Sequence, residues 1–142
     1  MRRGPLAELQ AEYAGRLVPP ATIVELDEKR PLPEAALKLR EGALLVAAVP
    51  AGARFVALDP RGVAWSSRDL AAHLATWRDH GVGAVAFAIG GAAGLDDAVL
   101  ARADTVLSIG TMTWPHLFAR IMLLEQLYRA QQILAGHPYH RD

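Results

Sequence analysis

Apolar residues in this chain come in two rhythms. Short uninterrupted runs at 55–58, 84–89 and 105–109 are each bounded by turn residues. Such runs predict strands buried on both faces, as in a parallel sheet. A partly alternating run, Thr22 to Leu26, predicts a further strand, and 27–30 is a charged turn. Between the runs, apolar residues recur three and four apart, the period of a helix with one buried face. Pro5 followed by Leu6, Leu9, Tyr13 and Leu17 predicts a first helix, ended by Pro19 and Pro20. Pro33 opens a second, to about residue 47, with Leu37, Leu44 and Leu45 inward. Gly42 weakens its middle by about 1 kcal/mol relative to alanine. Ser66, with Asp69 three residues on, caps a third helix whose buried stripe is Leu70, Leu74 and Trp77. His73 and His80 fall on its exposed side, with no specific role expected. Residues 95 to about 103 form a short helix with Asp96 and Asp97 in its first turn, where the helix dipole favours them. Pro115 starts the longest helix, to about residue 135, and Gly136 closes it.

Strand and helix alternate, so the fold class is α/β, a mostly parallel sheet flanked by helices. The length of 142 residues predicts a single domain over 1–142, without repeat or linker. The last helix departs from the simple pattern. Leu117, Ile121, Leu124 and Tyr128 form one stripe, Leu123, Leu127, Ala130 and Leu134 another, and Phe118 and Met122 widen the apolar surface. A surface helix needs one apolar face. This one predicts either deep burial or a second face against a copy of the chain. Glu125 and Arg129, four apart, supply part of the remaining polar strip.

Composition narrows the chemistry. Without cysteine there are no disulfides, thiolate metal sites or cysteine nucleophiles. No apolar run approaches the roughly 18 residues of a membrane span, and the start lacks the apolar core of a secretory signal. A cytoplasmic protein with no membrane partner is expected. Fifteen basic residues balance fifteen acidic ones. Nucleic-acid binders are usually basic because phosphate neutralisation dominates affinity, so any RNA contact must rest on a local patch or one assembled from two subunits.

Two loops of small residues end consecutive strands: Gly90-Gly91-Ala92-Ala93-Gly94, and Gly110-Thr111-Met112-Thr113 followed by Trp114-Pro115-His116. Ligands of open α/β sheets bind outside the carboxyl ends of the strands. The first loop lacks both the dinucleotide fingerprint and the lysine of a phosphate loop, and alone it reads as a tight turn. Together with the second loop and the strand end at Leu58-Asp59, it predicts a cleft of backbone groups walled by Leu58, Met112 and Trp114. Such a cleft suits a flat heterocycle such as adenine. The tail His137-Pro138-Tyr139-His140-Arg141-Asp142 is a second cluster. By position it reads as a frayed terminus. By chemistry it suits RNA contact or proton handling, since histidine titrates near neutrality, arginine grips phosphate and tyrosine stacks on bases. No metal-ligand spacing is present.

These residues together carry a resemblance. Leu58-Asp59-x-x-Gly62, Ile89-Gly90-Gly91-x-x-Gly94-Leu95, Leu107-Ser108 with Met112-Thr113-Trp114-Pro115-His116, Glu125-Gln126-Leu127-Tyr128-Arg129-Ala130 and His137-Pro138-Tyr139-His140-Arg141 resemble the RlmH family. These are SPOUT-class methyltransferases of pseudouridine N3 in large-subunit (23S) ribosomal RNA. The resemblance covers nearly the whole chain in the same order. It implies an α/β knot with a deep C-terminal trefoil, a homodimer, and S-adenosylmethionine bound in the knot near the subunit interface. Leu58, Gly90, Ile109, Gly110, Thr111, Met112, Thr113 and Trp114 would line that site. His140, Arg141 and Tyr139 would be catalytic: His140 or His137, or a water, takes the N3 proton, Arg141 holds a phosphate, and Tyr139 packs on the methionine portion or the base. The partner is the assembled ribosome, and no metal is implied. Family members begin with a strand before the first helix, whereas this sequence begins at that helix, so either its start is assigned too late or the sheet is one strand short. The alternatives are a SPOUT enzyme acting on another RNA such as tRNA, a non-catalytic ribosome-associated binding protein, and a nucleotide binder. The last is disfavoured by the missing lysine.

Overall fold

A computed structural model describes residues 4–142. Its elements are α1 (Pro5–Arg16), α2 (Glu34–Ala48), β1 (Arg54–Ala64), α3 (Ser67–Asp79), β2 (Val85–Ala88), α4 (Asp97–Arg102), β3 (Thr105–Ser108) and α5 (His116–Leu134). They sort into two compact units that the chain enters alternately. One comprises Val24–Ala64 and His80–Thr113, and the other the described residues up to Ile23, Trp65–Asp79 and Trp114–Asp142.

The first unit is built on a parallel sheet of order β2-β1-β3. The central strand carries the most buried stretch, Phe55 to Leu58, and Val56 and Ala57 are fully buried. Phe55, Ala57 and Ala88 meet Leu95 and Val99, with Leu45 and Val46 of α2 and Val49 just after it packed against them. Gly42 is buried within α2, and a Cβ there would lie 2.7 Å from Val99 Cγ2 of α4. The glycine that costs the helix intrinsic stability therefore permits a close approach of two helices. Asp104 fastens the start of the sheet: its Oδ2 accepts from Phe55 N at 2.7 Å and its N–H donates to Phe55 O at 2.8 Å.

Two expectations need correction. The run Thr22 to Leu26 is not a strand. The sheet ends at β2 and β3, neither of which pairs with this run, and Val24 is exposed. A strand needs an edge to pair with, and alternation alone does not supply one. Ion pairs instead fix the charged segment between this run and α2. The Glu28 carboxylate accepts from Arg30 N, Nε and Nη2 and from Arg40 Nε at 3.0–3.3 Å. These contacts, Arg30 first, pull its pKa down to about 2. The second correction concerns β1, which does not end at residue 58. It leaves the ladder for Asp59 to Gly62 and returns, so that Leu107 of β3 pairs first with Leu58 and then with Val63.

The second unit is helical. α5 packs on α1 and α3, and its buried residues Ala119, Ile121, Leu123, Leu124 and Ala130 belong to more than one stripe. Leu70, Ala71 and Ala130 form a core with Trp65, Leu74, Leu127 and Ile133. The reciprocal cap of α3 is formed, with Asp69 N donating to Ser66 Oγ and Ser66 N to Asp69 Oδ2, both at 3.0 Å. Gln131 clasps the turn after α1 through both backbone groups of Val18, at 3.0 and 3.1 Å. His73 is not idle: its ring stacks on Trp65 at 3.8 Å and 8°. Gly136 takes φ 72° to end α5, as the sequence requires.

Candidate functional site

All three strands run in one direction, so their carboxyl ends lie along one edge of the sheet. With β1 central, Leu58 stands between the loop after β2 and the loop after β3. Leu58 is 9% exposed, at the limit of the core.

The loop after β2 is a tight turn folded on itself. Gly94 N donates to Gly91 O at 2.9 Å, and Gly94 has φ 80°. A Cβ at Gly90 would stand 2.6 Å from the Gly94 carbonyl carbon and 2.9 Å from Leu95 N. Only glycine lets the two ends of this turn close. After β3 the chain turns at Gly110, with φ 123°, again a glycine conformation. Ser108 braces that turn: its Oγ accepts from Gly110 N at 3.1 Å and donates to Gly110 O at 3.2 Å. It is the buried polar side chain of the core among the described residues. Beyond it Ile109, Thr111, Met112 and Thr113 are exposed, Met112 at 72%. Large apolar side chains left open beside backbone-rich turns are what an apolar, weakly charged ligand would cover. Trp114, also exposed, opens the helical unit.

The excursion of β1 carries the charges at this edge. Asp59 Oδ1 accepts from Arg61 N and Nε, each at 2.9 Å, and Arg61 Nη1 reaches Asp97 Oδ1 at 3.4 Å. The Arg61 guanidinium holds the Asp59 carboxyl below the usual carboxylate range. Gly62 brings β1 back against β3, and a Cβ there would overlap Val106 O at 2.4 Å.

The tail lies in the helical unit and is tied down there. Tyr139 OH donates to Glu125 Oε1 at 3.2 Å, and its ring meets Tyr128 edge-on at 4.9 Å. Burial, and after it the Glu125 carboxylate, pushes the Tyr139 phenol up to about 12. Arg129 donates to Glu125 Oε1 from Nε and Nη2, at 2.9 and 2.6 Å, and lies over the Tyr139 ring. Its Nη1 is 3.1 Å from His140 Nδ1. His140 Nε2 is 2.9 Å from Asp142 Oδ1, to which Arg68 Nε also donates at 2.8 Å. His137 Nδ1 accepts from Tyr139 N at 3.1 Å, which commits that nitrogen locally. Arg141 is exposed.

Tyr139 and His140, expected from the sequence, are thus brought together, and the structure adds Glu125, Arg129, Arg68 and Asp142. The signal for the first two was present: an ion pair of spacing four on a helix otherwise apolar nearly all round. Arg68 carried no such signal, because its partner is 74 residues away. Among the described residues no three His, Asp or Glu side chains form a group able to hold a metal ion, and no helix is long and apolar enough to cross a membrane.

The family described as "Predicted SPOUT methyltransferase" matches residues 1–140. A protein of Paramagnetospirillum magneticum named ribosomal RNA large subunit methyltransferase H is 53% identical over 140 residues, covering 99% of this chain and 92% of its own length. The protein of that name from Rhodospirillum centenum gives the same identity and coverage. The one from Paracoccus denitrificans is 47% identical over 150 residues, covering 100% of this chain and 94% of its own.

Proposed function

We propose a reaction for this chain, which belongs to the SPOUT methyltransferase family and, within it, to the ribosomal RNA large subunit methyltransferases H. A methyl group passes from S-adenosylmethionine to N3 of a pseudouridine in large-subunit ribosomal RNA on the assembled ribosome. The observation that carries the donor site is Leu58 flanked at one sheet edge by two glycine turns. The residues there fit such a donor. Gly110 is exposed, with open space where a Cβ would stand, so amides and carbonyls of its turn are open to an adenine edge, and Gly90 lets the facing turn close tightly beside it. Ile109 and Met112 offer apolar surface, and no lysine in either loop calls for a polyphosphate.

When bound, the donor supplies an electrophilic methyl group on a sulfonium sulfur. Leu58, Gly90, Ile109, Gly110, Thr111, Met112, Thr113 and Trp114 bind and orient it. Alignment of the methyl carbon with the attacking nitrogen is the main contribution expected of a site without acid–base pairs. Tyr139, His140 and Arg141 serve the RNA: Arg141 takes a backbone phosphate, and Tyr139, kept neutral, offers a packing surface. The chain works as a homodimer in the cytoplasm. α5 supports the dimer, because Phe118 remains 45% exposed on a helix whose opposite side, with Leu123, Leu124 and Ala130, is buried.

Calorimetric titration with S-adenosylmethionine tests the reading, with ATP as control. Saturation at about one site per chain is expected, and then methylation of ribosomes carrying the pseudouridine and not of ribosomes carrying uridine there. A folded protein without donor affinity would overturn it.

A further inference from the structure

The hydrogen bonds around His140 have a direction set by chemistry. A guanidinium has five N–H groups and no lone pair to offer. Arg129 Nη1, 3.1 Å from His140 Nδ1, can only donate, so Nδ1 accepts and carries no proton. A neutral imidazole keeps one N–H, which here sits on Nε2 and donates to Asp142 Oδ1 at 2.9 Å. Arg129 cannot easily turn away, since Glu125 holds it through two further N–H groups and also receives Tyr139 OH. The two sides of the ring differ in access. Arg129 and Glu125 side chains are 24% and 19% exposed, while Asp142 is 69% exposed. The Nδ1 side is closed, and the Nε2 side is covered by Asp142, an exposed residue whose one further hold among the described residues is the equally accessible Arg68 at 2.8 Å.

We propose that Arg129 holds His140 as an Nε2–H donor for a carbonyl oxygen of the substrate base, with Asp142 keeping that oxygen's place until RNA arrives. This rests on the methyltransferase reading. In the step, the N3–H bond breaks and the proton goes to water. The negative charge left on N3 spreads to the two flanking carbonyl oxygens. The N3 electron pair then bonds the methyl carbon as the S–CH3 bond breaks, and sulfur leaves as a neutral thioether. An N–H aimed at one of those oxygens stabilises the anion where its charge develops. His140 does not accept the proton, because its lone pair is already given to Arg129. It is the catalytic residue of this contact, and Arg129 and Glu125 are positioning residues.

Long-range proton–nitrogen correlation spectra of the full-length protein read the tautomer directly. The wild type is expected to show His140 protonated on Nε2. In Arg129→Met the ring is expected to lose that restriction, and an unchanged tautomer there would remove Arg129 as its cause. Single-turnover methylation gives the second readout. His140→Gln, whose amide keeps a donor near Nε2, is expected within about tenfold of wild type, and His140→Ala slower by about 100-fold. The rise of rate with pH is expected to persist in both. A wild type that methylates while protonated on Nδ1, or a His140→Gln as slow as His140→Ala, overturns the donor role alone. A wild type that binds no S-adenosylmethionine overturns the reaction itself.

Discussion

Gly90, Gly110 and Tyr139 show how much a single position decides here. At Gly90 the requirement is space rather than dihedral freedom, since a Cβ would enter the backbone of Gly94 and Leu95. Gly90→Ala is therefore expected to reopen the turn and weaken donor affinity by at least tenfold in calorimetry, with little change in the rest of the fold. An unchanged affinity would remove this turn from the site. Tyr139 gives a prediction of opposite character. Its phenol is raised to about 12 from the usual 10, so the folded chain retains a proton that the unfolded chain gives up. The stabilisation is complete below about pH 10 and is lost as pH rises towards 12. A spectrophotometric titration should find a tyrosine ionising at about 12 that Tyr139→Phe removes, and its absence would mean that the phenol is neither buried nor faced by Glu125.

The elements were legible where a local rule carried them. The cap at Ser66 and Asp69, the glycine stop of α5 and three apolar strand cores could be read from neighbouring residues, because caps and turns are satisfied within a few positions. The run from Thr22 to Leu26 misled for the opposite reason, since its pattern suited a strand but no edge of the described sheet receives it. Gly42 shows tertiary packing overriding propensity. Gly42→Ala should gain about 1 kcal/mol in helix propensity and lose more by forcing a methyl group to within 2.7 Å of Val99 Cγ2. Overpacking of this kind costs about 1–3 kcal/mol. Urea unfolding should show net destabilisation, and a gain would mean that α2 and α4 can part without cost.

At the scale of the whole molecule, assembly is the property to test. Phe118 is nearly half exposed on the longest helix, and a charge buried without a partner at an interface is costly. Phe118→Asp is expected to yield a folded monomer by sedimentation, and an intact dimer would place the interface elsewhere. The α/β class, the strand order in the chain, the glycine turns and the family resemblance all came from the sequence by itself, because each depends on local periodicity or on a motif that local chemistry constrains. Tertiary structure alone decided the rest. It returned β1 to the ladder after residue 62, closed α2 on α4 through Gly42, stacked His73 on Trp65, and gave His140 a guanidinium on one nitrogen and a carboxylate on the other. Those contacts join residues tens of positions apart or depend on how the chain turns back on a helix, and their geometry is set by packing that no local pattern encodes.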